Sequence, residues 1–383
     1  MQKKKILIFS DWFYPGYKAG GPIKSLFNLS IALQYQYDVY VFTSDSDITE
    51  NKSYSKIDTN SWIKPFVNSE IKVFYCSKSN LNSKSINNIL NEVNPEFVYL
   101  NHMWSYWFVL KPLVICFVKF NFIKVVLCPR GALFESAIHY LNTYVKKRIL
   151  LAVIQLFSIH KHILFHATSW QEKFTIKKYF GEVNIILANN LPDLHQPAFS
   201  PITKNKGELK IVFIARIVEI KNLKILLQNL QLVKSNITLT IAGPIGDKEY
   251  WLSCLSVIKK LPHNITVTYV GVIIPIDILP LIQKHHLYCL PTQGENFGHS
   301  IFESFLSGRP VLISDQTPWL DLNKKNAGWD INLNQNYPLV PFIEKAAKWE
   351  QESFNLYCKG AWDLAHEYIS NPNLISDYNH LFN

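Results

Sequence analysis

Zinc-ligand spacing is missing from this chain. Its six cysteines, at positions 76, 116, 128, 254, 289 and 358, are scattered, and most lie in apolar segments. That excludes a zinc finger and a disulfide framework, and it suits buried thiols in a reducing compartment. Long uncharged apolar runs are missing too. The most apolar stretch, Tyr106 to Leu127, is interrupted by Lys111, Pro112, Lys119 and Lys124, whereas a membrane span needs about 20 largely uncharged residues. The run Ile6 to Phe9 is too short for the apolar core of a secretory leader, so a cytoplasmic location is expected. No Gly-x-Gly-x-x-Gly follows the first strand, so a dinucleotide fingerprint is absent. Lys/Arg runs interleaved with aromatics, the mark of a nucleic-acid module, are absent as well, and no nucleic-acid partner is expected.

What is present is a globular composition. Hydrophobic residues make up 48% of the 383 residues and charged residues only 18%, too apolar for disorder and too long for one ordinary core. The net charge of +10 is lopsided. Residues 1–190 hold 22 Lys and Arg against 12 Asp and Glu, while residues 191–383 hold 17 of each. Such asymmetry fits an anionic surface or an anionic second substrate on the first half; it fits equally a surface that is simply lysine-rich.

Short apolar runs alternate with helical spacing along both halves. Runs at 5–10, 38–43, 70–75, 97–100, 123–128, 163–167 and 184–187 read as strands. Residues 189–206, with Pro192, Pro197 and Pro201, read as a break, after which strands recur at 209–215, 237–242, 266–270 and 288–290. The expected organisation is a first domain over 1–190, a linker over 191–206, a second domain over 207–365, and a helical tail over 366–383 that crosses back. The fold class is α/β: two Rossmann-like parallel-sheet domains facing across a cleft. Residues 48–69 read as irregular. Asp45 and Asp47 form a D-x-D that reads as a solvated loop, and no metal site is expected. The helix over 149–157, entered through Lys146, Lys147 and Arg148, reads either as buried or as lying on an anionic membrane face; burial is preferred because its apolar residues are nearly continuous.

The candidate site is built around Leu290 to Gly308. A strand end leads into a loop bounded by Gly294 and Gly298 that carries Glu295, and a short helix opens near His299 and carries Glu303. A helix N-terminus with a glycine before it favours a phosphate. Glu303, one turn in, suits hydroxyls next to that phosphate. Arg216 and Lys221 bracket the turn after the strand at 209–215 and can neutralise a diphosphate from two sides. Gly20 and Gly21 precede the first helix. His102 lies just past one strand end, and Arg130 sits between Pro129 and Gly131 at another, placed either to clamp an anion or to pair with Glu135.

Gly20 with Gly21, Arg216 with Lys221, Gly243 with Pro244, and Glu295-x7-Glu303 resemble the family-4 (group 1) retaining glycosyltransferases of the GT-B fold. The likeness covers the whole chain. The combination of Gly20 to Ile23, Pro129 to Ala132 and His166 to Ser169 is similar to a branch that assembles bacterial surface polysaccharide. The resemblance implies that Arg216 and Lys221 hold a donor diphosphate and that Glu303 holds the ribose. Glu295, with Asn296, Phe297 and Gly298, would hold the transferred sugar. N–H groups near Ser300 and Ile301 would cap the phosphate, and Gly243 would lie beside the donor. Gly20 and Gly21 would approach donor and acceptor. His102 and Arg130 both stay open as contacts to the sugar, because many members carry a His where Pro129 to Gly131 stand here. No cofactor and no metal is implied. The donor is a nucleotide-diphosphate sugar, a UDP-sugar in preference to a GDP-sugar, and the leaving diphosphate assists the acceptor hydroxyl on the same face.

The resulting expectation is transfer of a hexose or N-acetylhexosamine to a lipid-linked or polysaccharide acceptor in surface-glycan synthesis. The enzyme would be cytoplasmic or peripheral on the inner face of the membrane. Two other classes compete. A sugar-nucleotide epimerase shares the two-domain design but needs no acceptor, and a non-catalytic polyanion binder would use only the +10 charge.

Overall fold

A computed structural model of the chain describes residues 3–48, 50, 52–138, 144–194 and 197–383. It divides into two units, Met1–Pro192 with Pro372–Asn383, and Asp193–Asn371.

The first unit holds β1 (Lys5–Ser10), β2 (Asp38–Ser44), β3 (Trp62–Ile63), β4 (Lys72–Cys76), β5 (Phe97–Asn101), β6 (Lys124–Cys128), β7 (Ile163–Ala167) and β8 (Ile185–Leu187). They form one sheet in the order β3-β4-β2-β1-β5-β6-β7-β8, parallel except for β3 against β4. Parallel central strands are covered on both faces, so they read as continuous apolar runs rather than alternating ones. Ile6 to Phe9 of β1 are fully buried, and Ile6 sits opposite Val39 on one side and Phe97 on the other. The chain runs outward from β1 to β2 and β4, then returns to place β5 on the other side of β1.

The second unit repeats the plan with β9 (Glu208–Ile214), β10 (Asn236–Ala242), β11 (Ile265–Tyr269), β12 (Leu287–Leu290), β13 (Val311–Ser314) and β14 (Gly328–Ile331). The order β11-β10-β9-β12-β13-β14 is wholly parallel. Here too the order reverses, between β9 and β12. In open parallel sheets the crevice at such a reversal, outside the carboxyl ends of the strands, is where ligands bind. The core behind it includes Ile211, Phe213, Leu239, Leu287, Leu312 and Phe305, all fully buried. Each such side chain contributes about 1.5–3 kcal/mol.

Several expectations change. Residues 48–69 contain the short β3, and Asp45 and Asp47 are buried rather than solvated. Asp47 accepts from the backbone N–H of Tyr17, Lys18 and Ile48, and Asp45 accepts from Ser53 Oγ. Asp47 thus braces the turn after β1, and Asp45 holds the segment that follows β2. Lys111–Lys119 forms a helix, and β14 closes the second sheet; neither was read from the sequence. The helix Tyr144–Leu156 is only partly buried: Leu151 and Ile154 lie in the core and Leu150 packs against it, while Val145, Ile149, Val153 and Leu156 are exposed. Continuous apolarity along it reflects an apolar outer face in addition to the inner one.

The region expected as a linker packs onto the second unit from Phe199 onward. Lys204 is buried, and its Nζ donates to the carbonyls of Asn205, Ala347 and Trp349. A boundary at residue 365 falls inside the helix Gln351–Ile369; the chain changes unit at Pro372. The final helix, Asn373–Asn379, belongs to the first unit. There Tyr378 Oη donates to Asn189 O, and the Phe382 ring meets Phe97 edge-on at 5.5 Å.

Candidate functional site

In the second unit β10, β9 and β12 end at one edge of the sheet, and their loops are tied to one another. The β9–β10 pairing continues past the strands, with Ala215 N donating to Ala242 O (3.1 Å) and Ile217 N to Pro244 O (2.9 Å). Gly243 makes this close approach possible. Its φ is +132°, and a Cβ there would lie 2.0 Å from Ala215 O, so no other residue fits. Arg216 stands exposed at the edge, its stem lying over Gly246, where a Cβ would come within 2.7 Å of Arg216 Cδ.

Lys221 closes a short turn, Glu219–Lys221, before the helix Leu223–Leu230. The carbonyl of Ile220, beside it, accepts from Gln293 N (2.8 Å) and Thr292 Oγ1 (3.2 Å), stitching the β9 loop to the β12 loop. Across that seam Lys221 Nζ lies 2.5 Å from Glu295 Oε1, both side chains largely buried at 21% and 17% exposure. Glu295 is held from behind by its own N–H, which donates to Gln316 O (3.0 Å).

The helix His299–Leu306 begins at Gly298, which adopts the left-handed conformation (φ 76°, ψ 64°) that glycine takes without cost. The first bond back to Gly298 O comes from Phe302 N (3.0 Å). The N–H groups of Ser300 and Ile301 therefore precede the helical ladder, at the positive end of the helix. Tyr288 Oη donates to Ile214 O (3.1 Å) and lies 2.7 Å from Ser300 Oγ, tying this end to β9. The opposite end is anchored by Arg309. Fully buried, its guanidinium donates to the carbonyls of Ser307, Gly308, Ser200 and Gln283. A cation at the C-terminus satisfies carbonyls the helix leaves open. Glu303 sits one turn in and is 3% exposed. Phe297, partly covering the loop, packs on Trp319 (5.3 Å), whose Nε1 donates to Phe297 O.

In the first unit the reversal lies between β1 and β5. Asn101 at the end of β5 donates to Ser10 Oγ (3.2 Å), and Ser105 Oγ donates to Asp11 Oδ1 (2.7 Å). Burial pushes the Asp11 carboxyl above its ordinary value, and the Ser105 bond offsets part of this. His102 follows with φ +78°, and its Nδ1 accepts from Trp104 N (3.4 Å), leaving the proton on Nε2. Burial, with Lys147 and Arg130 nearby, lowers its pKa to about 4, so the ring is neutral. Gly20 and Gly21 open the helix Gly21–Leu33 after β1, with Gly20 as its exposed cap.

Arg130 does not pair with Glu135, which binds Lys178 instead. Its guanidinium spans three neutral oxygens: Nε donates to Asn101 Oδ1 (3.0 Å), Nη2 to Tyr99 Oη (3.1 Å), and Nη1 to Asn190 Oδ1. Tyr99 Oη then donates to His166 Nδ1 (2.8 Å), and His166 Nε2 donates to Ala188 O (2.8 Å). Burial holds His166 neutral, at a pKa of about 3, which this donor sequence requires. The next turn is braced by Glu172, whose carboxylate accepts from Gly131 N, Thr168 N and Thr168 Oγ1.

Of the residues singled out from sequence, Arg216, Lys221, Gly243, Glu295 to Gly298, Ser300, Ile301 and Glu303 gather at the carboxyl edge of the second sheet. Gly20, Gly21, His102 and Arg130 gather at that of the first. Tyr288, Thr292 and Gln293 shape the site without having been picked out. Tyr288 ends an apolar strand and carries no sequence signal to separate it from core; only the fold aims its hydroxyl at Ser300.

Residues 196–336, all of them inside the second unit, match the family model described as Glycosyl transferases group 1. No curated protein matches the chain. Solved structures match it end to end. Anabaena Alr3699/HepE, solved with UDP and glucose, is 14% identical at a TM-score of 0.71, over 99% of both chains. Sucrose-phosphate synthase from Thermosynechococcus elongatus is 14% identical at 0.73, over 99% of this chain and 98% of that one. WaaG, a glycosyltransferase involved in lipopolysaccharide biosynthesis, is 13% identical at 0.64, over 97% and 96%. At these identities the likeness is one of fold: two parallel-sheet α/β units of GT-B type.

Proposed function

We propose that the chain is a family-4 retaining glycosyltransferase. It moves a hexose or N-acetylhexosamine from a UDP-sugar to a lipid-linked or polysaccharide acceptor during surface-glycan synthesis. The observation that carries this reading is the junction of Lys221, Glu295 and the His299–Leu306 N-terminus at the β9–β12 reversal, inside the segment that matches the group 1 model. Support for a UDP donor comes from HepE, whose structure holds UDP and glucose, and support for surface glycan comes from WaaG. The excess positive charge of residues 1–190 fits an anionic acceptor or a membrane that carries it.

In this reading Arg216 and Lys221 neutralise the diphosphate from two sides, and the N–H groups of Ser300 and Ile301 cap it. Glu303 receives the ribose hydroxyls, and Glu295 with Asn296 to Gly298 receives the transferred sugar. The bond from the anomeric carbon to the diphosphate oxygen breaks as the acceptor oxygen bonds on the same face. The acceptor proton passes to the leaving diphosphate. Two fixed cations stabilise the leaving group, so the reaction is proposed to need no metal and no cofactor.

Incubation with UDP-, GDP- and dTDP-sugars and an acceptor extract tests this. Nucleotide release that depends on acceptor, is greatest with a UDP-sugar, persists in chelator and vanishes with Glu303→Ala supports it. Conversion of the free donor sugar without acceptor would instead identify an epimerase.

A further inference from the structure

Tyr288 is fully buried in β12, opposite Val212 of β9 on one side and Val311 of β13 on the other. Its side chain runs along the sheet toward the carboxyl edge. There the hydroxyl reaches Ile214 O, two residues and about 6.6 Å beyond Val212 along β9. A phenylalanine would fill the same space, so packing alone does not call for a phenol. The hydroxyl carries one proton and faces two acceptors, Ile214 O at 3.1 Å and Ser300 Oγ at 2.7 Å. Burial pushes its pKa well above the ordinary tyrosine value, and the Glu295 and Glu303 carboxylates add to this, so the proton stays on.

Ser300 is the second residue of the helix His299–Leu306. Its Oγ donates to no acceptor of the chain among the described residues. The oxygen is thus met by a donor, while the hydroxyl's own proton is uncommitted at the positive end of a helix. We propose that Ser300 Oγ is a ligand of the donor diphosphate and that Tyr288 is the residue that positions it.

An anion at this helix end accepts a hydrogen bond from Ser300 Oγ. The serine oxygen becomes a better acceptor in turn, and Tyr288 swings its proton from Ile214 O to the nearer Ser300 Oγ. No proton changes atoms; two O–H bonds reorient. Such a chain strengthens along its length, since each hydroxyl polarises the next. A tyrosine that only held the sheet together would be satisfied by Ile214 O. The second contact is the shorter one, and it goes to the side chain that stands beside the open N–H groups. Ile214 also lies two residues before Arg216, so one phenol fixes the helix end against the strand that carries the first cation. This inference rests on the proposed function, which places the diphosphate at this helix end.

The test is a double-variant cycle on the full chain, with UDP affinity read by titration calorimetry and uridine affinity by ligand-observed NMR. Ser300→Ala is expected to weaken UDP about tenfold or more, the worth of one hydrogen bond to a charged group. Tyr288→Phe, which keeps the ring, is expected to weaken UDP about three- to tenfold and to leave uridine unchanged. The double variant should bind UDP no more weakly than Ser300→Ala alone. Ser300→Thr, which keeps a hydroxyl, should bind UDP more tightly than Ser300→Ala and remain sensitive to Tyr288→Phe. Losses that multiply in the double variant, UDP affinity unchanged in Tyr288→Phe, or uridine weakened in step with UDP overturn the proposal. Should Tyr288→Phe fail to fold, equal UDP affinity in Ser300→Ala, Ser300→Thr and the parent overturns it. Any of these results in a parent that binds UDP removes this inference alone. A parent that binds neither UDP nor pyrophosphate removes the proposed function with it.

Discussion

Lys221 and Glu295 hold each other across the β9–β12 reversal, Nζ to Oε1 at 2.5 Å, each on a loop whose backbone is pinned to the other loop through Ile220. The ammonium that is proposed to neutralise a diphosphate and the carboxylate that is proposed to receive a sugar are therefore partners before any donor arrives. A donor must divide them, one going to each end.

That relationship separates two substitutions. Glu295→Gln frees Lys221 without removing it, so affinity for UDP alone should hold or rise by about two- to fivefold, the worth of a partly exposed pair, while transfer is lost. Lys221→Ala should weaken UDP binding and transfer together. Titration calorimetry with UDP distinguishes them, and equal loss of UDP affinity in both variants would contradict the division of labour.

Gly243→Ala puts a methyl 2.0 Å from Ala215 O at a φ of +132°. The β9 and β10 loops must separate to accommodate it. A cost of about 3 kcal/mol or more is expected, read as a fall in the denaturant midpoint, together with loss of UDP binding because Arg216 moves with the loop. A variant as stable as the parent would show that the two loops are not held this closely.

Glu172→Ala removes one carboxylate that satisfies three donors, Gly131 N, Thr168 N and Thr168 Oγ1. Unpaired buried donors cost about 1–3 kcal/mol each, so the variant should unfold at markedly lower denaturant. Glu172→Gln, which keeps one acceptor oxygen, should fall between it and the parent.

Acid should destabilise both units. Burial lowers His166 in the first unit to a pKa of about 3 and His286 in the second to about 4. Each accepts at Nδ1, from Tyr99 Oη and Lys210 N, and donates at Nε2, to Ala188 O and Thr203 O. Above the unfolded value of about 6.5 neither state binds the proton. As pH falls below it, the unfolded chain takes up protons that the folded chain refuses, and stability declines until the folded pKa is reached. Of the order of 3 kcal/mol should be lost by about pH 4 from His286 alone. Denaturant melts between neutral pH and pH ~4 check this; a flat profile would mean that the rings are solvated.

Much was legible in the chain itself. The strands and their order along the sequence follow from apolar runs of strand length, because parallel strands bury both faces and announce themselves without alternation. Gly298, Glu295 and Glu303 were readable because a helix start after a glycine loop has a local signature. Asp45 and Asp47 were misread because their partners, the N–H groups of Tyr17 and Lys18 and the hydroxyl of Ser53, come from turns that no local pattern assigns to them. The helix at 144–156 was misread for a related reason: periodicity cannot say whether a second apolar face is covered.

Local chemistry therefore determined the elements, the glycine hinges and the charged residues at strand ends, since each depends on neighbours within a few residues. Tertiary structure decided who faces whom. It paired Lys221 with Glu295 across 74 positions. It set Arg130, which the sequence left open between clamping an anion and pairing with Glu135, as a brace on Asn101, Tyr99 and Asn190. It left Val145, Ile149 and Leu156 uncovered. Hydrogen bonds and burial between distant segments are set only when the sheet closes and the loops at its edge come within reach.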